Sequence, residues 1–171
     1  MIVVRAATLD DIPAIARIYT DSWKETYRGL MPDAFLESIT YEVSAEKWTD
    51  YPEQPGQYVF VAYDGEQAVG MAGLKLYTEQ PDCALLDALH IVRERRGQGF
   101  GKRLLGTAAR EARDQGVSRM QIFALIGNDR AIQMYEHLGA RRTHIFEREF
   151  GGSPCQVLAL MWDDLAGLCA L

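Results

Sequence analysis

Arg95-Arg96-Gly97-Gln98-Gly99-Phe100-Gly101-Lys102-Arg103 lies between an apolar run, Ala84 to Val92, and an amphipathic segment from Gly99 to Gln115. That order predicts a strand, a tight loop and a helix. Glycine at alternate positions lets the backbone turn sharply and approach a ligand, because no Cβ bars positive φ or close contact. The first amides of a helix lack intrahelical acceptors and carry the positive end of the macrodipole, so the turn is a cradle for an anion. Arg93, Arg95, Arg96, Lys102 and Arg103 add cationic charge around it, in a chain whose formal net charge is -6. The stretch reads as a phosphate or pyrophosphate site; the plainer alternative is a surface turn with a solvated arginine-rich face.

Spacing narrows the ligand. A phosphate loop of the G-x-x-x-x-G-K-[ST] type would need glycine at Arg96 and a hydroxyl at Arg103, and has neither. A dinucleotide fingerprint counted from Gly97 and Gly99 finds Lys102 where its third glycine belongs. What remains is Arg96-x-x-Gly99-x-Gly101 behind Leu89-His90-Ile91. This resembles the acyl-CoA-binding motif of the GCN5-related N-acetyltransferase (GNAT) superfamily, in which the loop's amides hold the pyrophosphate of coenzyme A. The resemblance implies a donor site built from Leu89, Ile91, Arg93, Arg96, Gly97, Gln98, Gly99, Phe100, Gly101 and Lys102. Arg93 stands where many members carry proline.

A second stretch, Asn128-Asp129-Arg130-Ala131-Ile132-Gln133-Met134-Tyr135-Glu136-His137-Leu138-Gly139-Ala140, is similar to the family's later motif at Asn128, Ala131, Tyr135 and Gly139. Ala140 departs from it, because an aromatic residue usually follows that glycine. Ala131 and Tyr135 are one helical turn apart, so a small residue leaves room beside the phenol for a ligand. Asn128 and Tyr135 then join the donor site, and Tyr135 is positioned to protonate a leaving thiolate, since a phenol near pKa 10 and a thiol near about 8.5 share a proton readily. On periodicity alone Tyr135 reads as a core tyrosine with an anchored hydroxyl, and it is the joint match with the glycine loop that turns the reading. Trp23-x-x-x-Tyr27-Arg28-Gly29-Leu30-Met31-Pro32, with Phe35-Leu36 after it, resembles the region where family members bind their acceptor, which makes Trp23 and Tyr27 substrate-binding candidates or, read without the resemblance, core aromatics. The likeness runs from Ile2 to Trp162 and is densest from Leu85 to Gly139.

The resemblance implies a mixed α/β fold (α+β): a central, mostly antiparallel sheet of about six to seven strands, splayed in the middle, with helices on both faces. It implies acetyl transfer from acetyl-CoA, with no metal, to the primary amine of a small molecule or a peptide N-terminus, by direct attack in a ternary complex. The thioester carbonyl would bond a main-chain N–H near Ile91. Asp87 is the expected base. It is the only carboxylate in its apolar strand, alternation puts it on the face of Leu85, Leu89 and Ile91, and burial there raises a carboxyl pKa; an edge residue or a satisfied polar group is the alternative. Glu25, Tyr27 and His90 are secondary candidates, with His90 on the opposite strand face. Cys83 has no histidine near it in sequence to make it a nucleophile. Two other classes stay open: a CoA-binding regulatory module without turnover, and a phosphate- or nucleotide-sensing module.

The rest of the chain sets the frame. With 171 residues, 48% of them hydrophobic, residues 1-171 are expected to form a single acyltransferase domain. Net negative charge argues against nucleic-acid and anionic-membrane partners, and a homodimer is compatible with the resemblance. Cys83, Cys155 and Cys169 are widely spaced and odd in number, so neither a disulfide framework nor a zinc site is expected, and a cytoplasmic location is. Helices are predicted from Ile12 to about Ser22, around Phe35–Ile39 and Val43–Trp48, from Gly99 to Gln115 and after Asn128 as N-cap; strands are predicted over Ile2–Ala6, Tyr58–Tyr63, Ala68–Tyr77, Cys83–Ile91, Arg119–Ile126, Arg142–Phe150 and Gln156–Trp162. Trp23 to Pro32 reads as a link between helices. Asp163 to Leu171 carries no pattern.

Overall fold

The computed structural model describes residues 1–171. Seven strands form one sheet in the order β1-β2-β3-β4-β5-β7-β6. Their ranges are β1 Ile2–Ala6, β2 Gln57–Asp64, β3 Gln67–Leu76, β4 Cys83–Ile91, β5 Arg119–Leu125, β6 Arg141–Phe150 and β7 Ser153–Trp162. Every neighbouring pair is antiparallel except β4 with β5. That parallel pair is registered only from Cys83 on Arg119 to Leu86 on Ile122. Beyond it the two strands diverge, while β5 keeps β7 as partner to Leu125. The sheet therefore opens as a V in its centre, with backbone groups of β4 freed toward the gap.

Helices cover both faces. α4 (Phe100–Asp114), α5 (Asp129–His137) and α6 (Ala166–Cys169) supply Leu104, Leu105, Ile132, Tyr135 and Leu168 to the larger apolar core, with Ala84 and Leu86 of β4 beneath them. α1 (Ile12–Tyr27), α2 (Asp33–Ser38) and α3 (Tyr41–Asp50) cover the opposite face, where Ile15, Ile18 and Trp48 pack on Val61, Met71 and Ala88. The small residues of β3 make this packing possible: a Cβ on Gly73 would meet Trp48 at 2.8 Å, and one on Gly70 would meet Ile91 at 2.6 Å.

Four expectations change. α1 does not stop near Ser22 but runs through Tyr27, because Tyr19, Trp23 and Tyr27 keep the i, i+4 spacing and stack in turn, Tyr19 on Trp23 at 5.6 Å and Trp23 on Tyr27 at 4.8 Å. Trp23 and Tyr27 thus share one helix face. Asn128 stands before α5 but its side chain makes no capping hydrogen bond. The C-terminal stretch is structured: Leu165 and Leu168 are buried, and Arg110 of α4 donates to the Cys169 carbonyl at 2.8 Å.

The fourth concerns β4. Gly73 pairs with Ala88 and Leu74 with Leu86, so Asp87 is an extra residue in a β-bulge. A bulge shifts the side-chain alternation by one. Ala88 turns to the α1 core, whereas Leu89 and Ile91 turn to the α4 core with Ala84 and Leu86. Asp87 consequently does not share a face with Leu89 and Ile91, and His90 does not point away from it. Asp87 is also exposed rather than buried.

Candidate active site

The loop before α4 is shaped by two glycines in the left-handed region, Gly97 at φ 77° and Gly99 at φ 93°. Arg96 donates its backbone N–H to Arg93, and the next backbone donor with an acceptor in the chain is Arg103, on Gly99 at 3.1 Å. The six amides from Gly97 to Lys102 are therefore unpaired at a helix N-terminus, which fits a bound anion. Not all the cations are free for it. Arg95 pairs with Asp64 at 3.0 Å, and Arg96 pairs with Glu25 at 3.3 Å while its Nε donates to the Ile91 carbonyl at 3.0 Å. Arg96 thus fastens the loop to the end of β4, and Glu25 is occupied as its counter-ion rather than available as a base.

A cavity of about 390 Å³ runs from this loop into the V, lined by Leu89, Ile91, Arg96, Gly97, Gly99, Gly101, Lys102, Asn128, Ala131 and Tyr135 among others. The side chains of three donor-site candidates are elsewhere, while the amides of Gln98 and Phe100 stay in the loop. Phe100 is 3% exposed and belongs to the core, Gln98 turns its side chain back to the Glu94 carbonyl, and Arg93 is exposed in a 3-10 turn outside the cavity. Arg130, from the first turn of α5, lines the cavity instead; it had no motif position to mark it.

A second cavity, about 470 Å³, lies on the α1–α3 side of β4 and holds Trp23, Tyr27 and Asp87. The two cavities share Tyr27, Leu89, His90, Phe123 and Tyr135. They meet where β4 and β5 separate. Tyr135 is 6% exposed and edge-on to Trp162 at 5.9 Å. Burial, then the nearby Tyr27, pushes its phenol well above the ordinary value, and no side chain bonds its hydroxyl. Burial likewise pushes Tyr27 up to about 12, with Tyr19 adding to the shift. Both remain neutral proton donors across the physiological range.

His90 is held by Ser22 at 2.9 Å and stands edge-on to Tyr19 at 5.2 Å. Burial, followed by the charges of Lys47 and Arg96, lowers its pKa to about 3. It is a neutral hydrogen-bonding group at the junction. A pH consequence follows: an unfolded histidine takes up its proton near about 6.5 and the folded one does not, so stability present above that pH is lost as pH falls from about 6.5 toward 3. Urea melts at pH 7 and pH 5 should show this loss, and His90→Gln should flatten it by about one proton's worth of slope; an unchanged slope would mean that His90 is hydrated and titrates normally.

An open-centred sheet with a cationic, amide-lined cleft leading to a buried phenol defines an acyl-carrier-dependent transferase architecture. The chain belongs to the acetyltransferase (GNAT) family, whose pattern matches residues 12–140, and it is accordingly an N-acetyltransferase. YuaI of Bacillus subtilis, an uncharacterized N-acetyltransferase, is 32% identical to it, over 100% of this chain and 98% of that one. The PaiA N-acetyltransferase of Thermoplasma acidophilum, solved in complex with coenzyme A, shares the fold with a TM-score of 0.75 at 18% identity, covering 95% of this chain and 99% of that one. The protein yncA of Salmonella typhimurium, solved with its cofactor acetyl-CoA, does so with a TM-score of 0.75 at 18% identity, covering 96% and 94%. No helix is long and apolar enough to cross a membrane.

Proposed function

We propose that residues 1–171 act as one domain that moves the acetyl group of acetyl-CoA to the primary amine of a small molecule or peptide N-terminus, by direct attack in a ternary complex. The observation that carries this reading is the meeting of two cavities at Tyr135, with unpaired loop amides at the far end of one and Asp87 in the other. The pyrophosphate takes the Gly97–Lys102 amides with Lys102 and Arg130, neither of which is ion-paired. The pantetheine arm lies along the freed edge of β4 past Leu89 and Ile91. Its thioester carbonyl accepts from a main-chain N–H near Ile91, a contact of a kind worth about 2.7–4 kcal/mol to the developing oxyanion.

The acceptor enters from the second cavity between Trp23 and Tyr27. Asp87 takes a proton from the ammonium, directly or through water; the freed amine forms the C–N bond, its nitrogen passes its second proton to solvent, and the C–S bond breaks. Tyr135 gives the departing thiolate its proton, which solvent restores. No metal takes part, and the same donor site suits a monomer or a homodimer.

Calorimetric titration with acetyl-CoA, CoA and ATP, followed by free-thiol release over a library of amines, tests the proposal. Binding of both CoA species, weak ATP binding and amine-dependent thiol release are expected. A preference for ATP would refute the donor assignment, because ATP lacks the arm that the cleft between β4 and β5 grips; CoA binding without thiol release from any amine would leave a binding module instead.

A further inference from the structure

The second cavity carries more information than its contact with the donor. Of its 23 lining residues 17 are hydrophobic, and the charged ones are Lys47, Asp87 and Arg148. In a chain with 24 acidic against 18 basic residues, both of these cations nevertheless lack an acidic partner. Lys47 Nζ donates to the Tyr19 hydroxyl at 3.1 Å and lies 5.0 and 5.2 Å from the Tyr19 and Trp48 ring centroids. Arg148 lies 5.6 and 5.7 Å from the Phe123 and Phe146 rings at the cavity rim. An ammonium beside aromatic rings keeps unused donors, and a charge-assisted bond to an incoming oxyanion can form there.

Asp87 faces the same space from the β4 bulge. Burial lowers the Lys47 pKa and the charge of Asp87 partly restores it, yet the two form no salt bridge. The carboxylate and the ammonium thus line one cavity without a salt bridge between them.

We infer that the acceptor is an amino acid with an apolar or aromatic side chain, its amine at Asp87 and its carboxylate on Lys47. This rests on the acetyl-transfer reading above and deepens it. The α-amine is then presented toward Tyr135 and the donor cleft, while the side chain lies against the wall of Trp23, Phe35 and Phe150, with Trp23 edge-on to both phenylalanines at 6.4 and 6.2 Å and the two phenylalanines tilted to each other at 5.7 Å. Lys47 acts as a specificity residue and takes no part in proton transfer. A polyamine fits poorly, because its further ammonium groups would meet Lys47 and Arg148 with a single carboxylate to offset them.

Thiol release with acetyl-CoA, measured on matched pairs, tests this: L-phenylalanine against phenethylamine, L-leucine against 3-methylbutylamine, and spermidine as the polycation. The wild-type chain should prefer each amino acid over its decarboxylated partner by roughly tenfold or more in kcat/KM, the scale of one charge-assisted bond. Lys47→Met should bring that ratio close to one, mainly through KM for the amino acid, and Lys47→Arg should keep part of it. Equal or better turnover of the decarboxylated amines or of spermidine by the wild-type chain would overturn the inference and leave acetyl transfer standing, and that comparison needs no variant to fold. A preference that survives Lys47→Met would remove Lys47 from it. Thiol release from no amine of either set would overturn the acetyl-transfer reading itself.

Discussion

Replacing Gly101 with leucine is expected to weaken acetyl-CoA binding at least about 100-fold, or about 2.7 kcal/mol, while the protein keeps its thermal stability. Gly101 lies in the first turn of α4 and lines the donor cavity. Its φ is not positive, and a Cβ there would find only Ile91 Cγ1, at an ordinary 3.8 Å. A larger side chain therefore grows into the cleft rather than into the core, and a helix gains up to about 1 kcal/mol when glycine is replaced by a good helix former. Gly97 and Gly99 are poorer probes. At φ 77° and 93° any side chain strains the backbone, so a variant such as Gly99→Trp would mix lost folding with lost binding. Paired calorimetry and thermal melts on Gly101→Leu keep the two apart. Wild-type affinity in a folded Gly101→Leu protein would mean that the phosphates lie somewhere other than this loop.

That the sequence pointed to Gly101 and Tyr135 as lining a cleft, and gave no sign of Lys47 lining one, has a physical basis. A helix N-terminus that leaves its amides bare needs glycine at fixed spacing, and Ala131 one turn from Tyr135 is the local trace of a cleft beside a phenol. Both signals are contained within a few residues. Lys47 and Arg148 come from α3 and β6, and only the tertiary fold brings them to one cavity with Asp87. The faces of β4 were misassigned for a related reason. Strict alternation assumes an uninterrupted ladder, and the bulge is decided jointly by β3 and β4. Gly73, which must be glycine to pass Trp48, stands beside the bulge on β3. The bulge sets Asp87 and Ala88 toward the same face, and Asp87 lines the second cavity with His90.

Tyr135→Phe should lower kcat by about 100-fold or more, within the range for loss of a positioned general acid, and change CoA affinity by no more than about threefold, the size of one modest hydrogen bond at the low end. The ring's contacts, including Trp162 at 5.9 Å, are retained, so the effect isolates the hydroxyl. The raised pKa of Tyr135 makes two further statements. A phenol less acidic than the thiol cannot drive full proton transfer ahead of C–S cleavage, so the proton moves as the thiolate leaves, and a poorer leaving group should suffer more from the substitution than a better one. Nor should ionisation of Tyr135 appear in the pH profile: wild-type kcat should show no alkaline limb up to about pH 10, the ordinary phenol value, because the folded group titrates above it. Single-turnover thiol release across that range, with Tyr135→Phe beside the wild type, measures both. Equal kcat for the two proteins would show that solvent protonates the thiolate and that Tyr135 only shapes the junction of the two cavities.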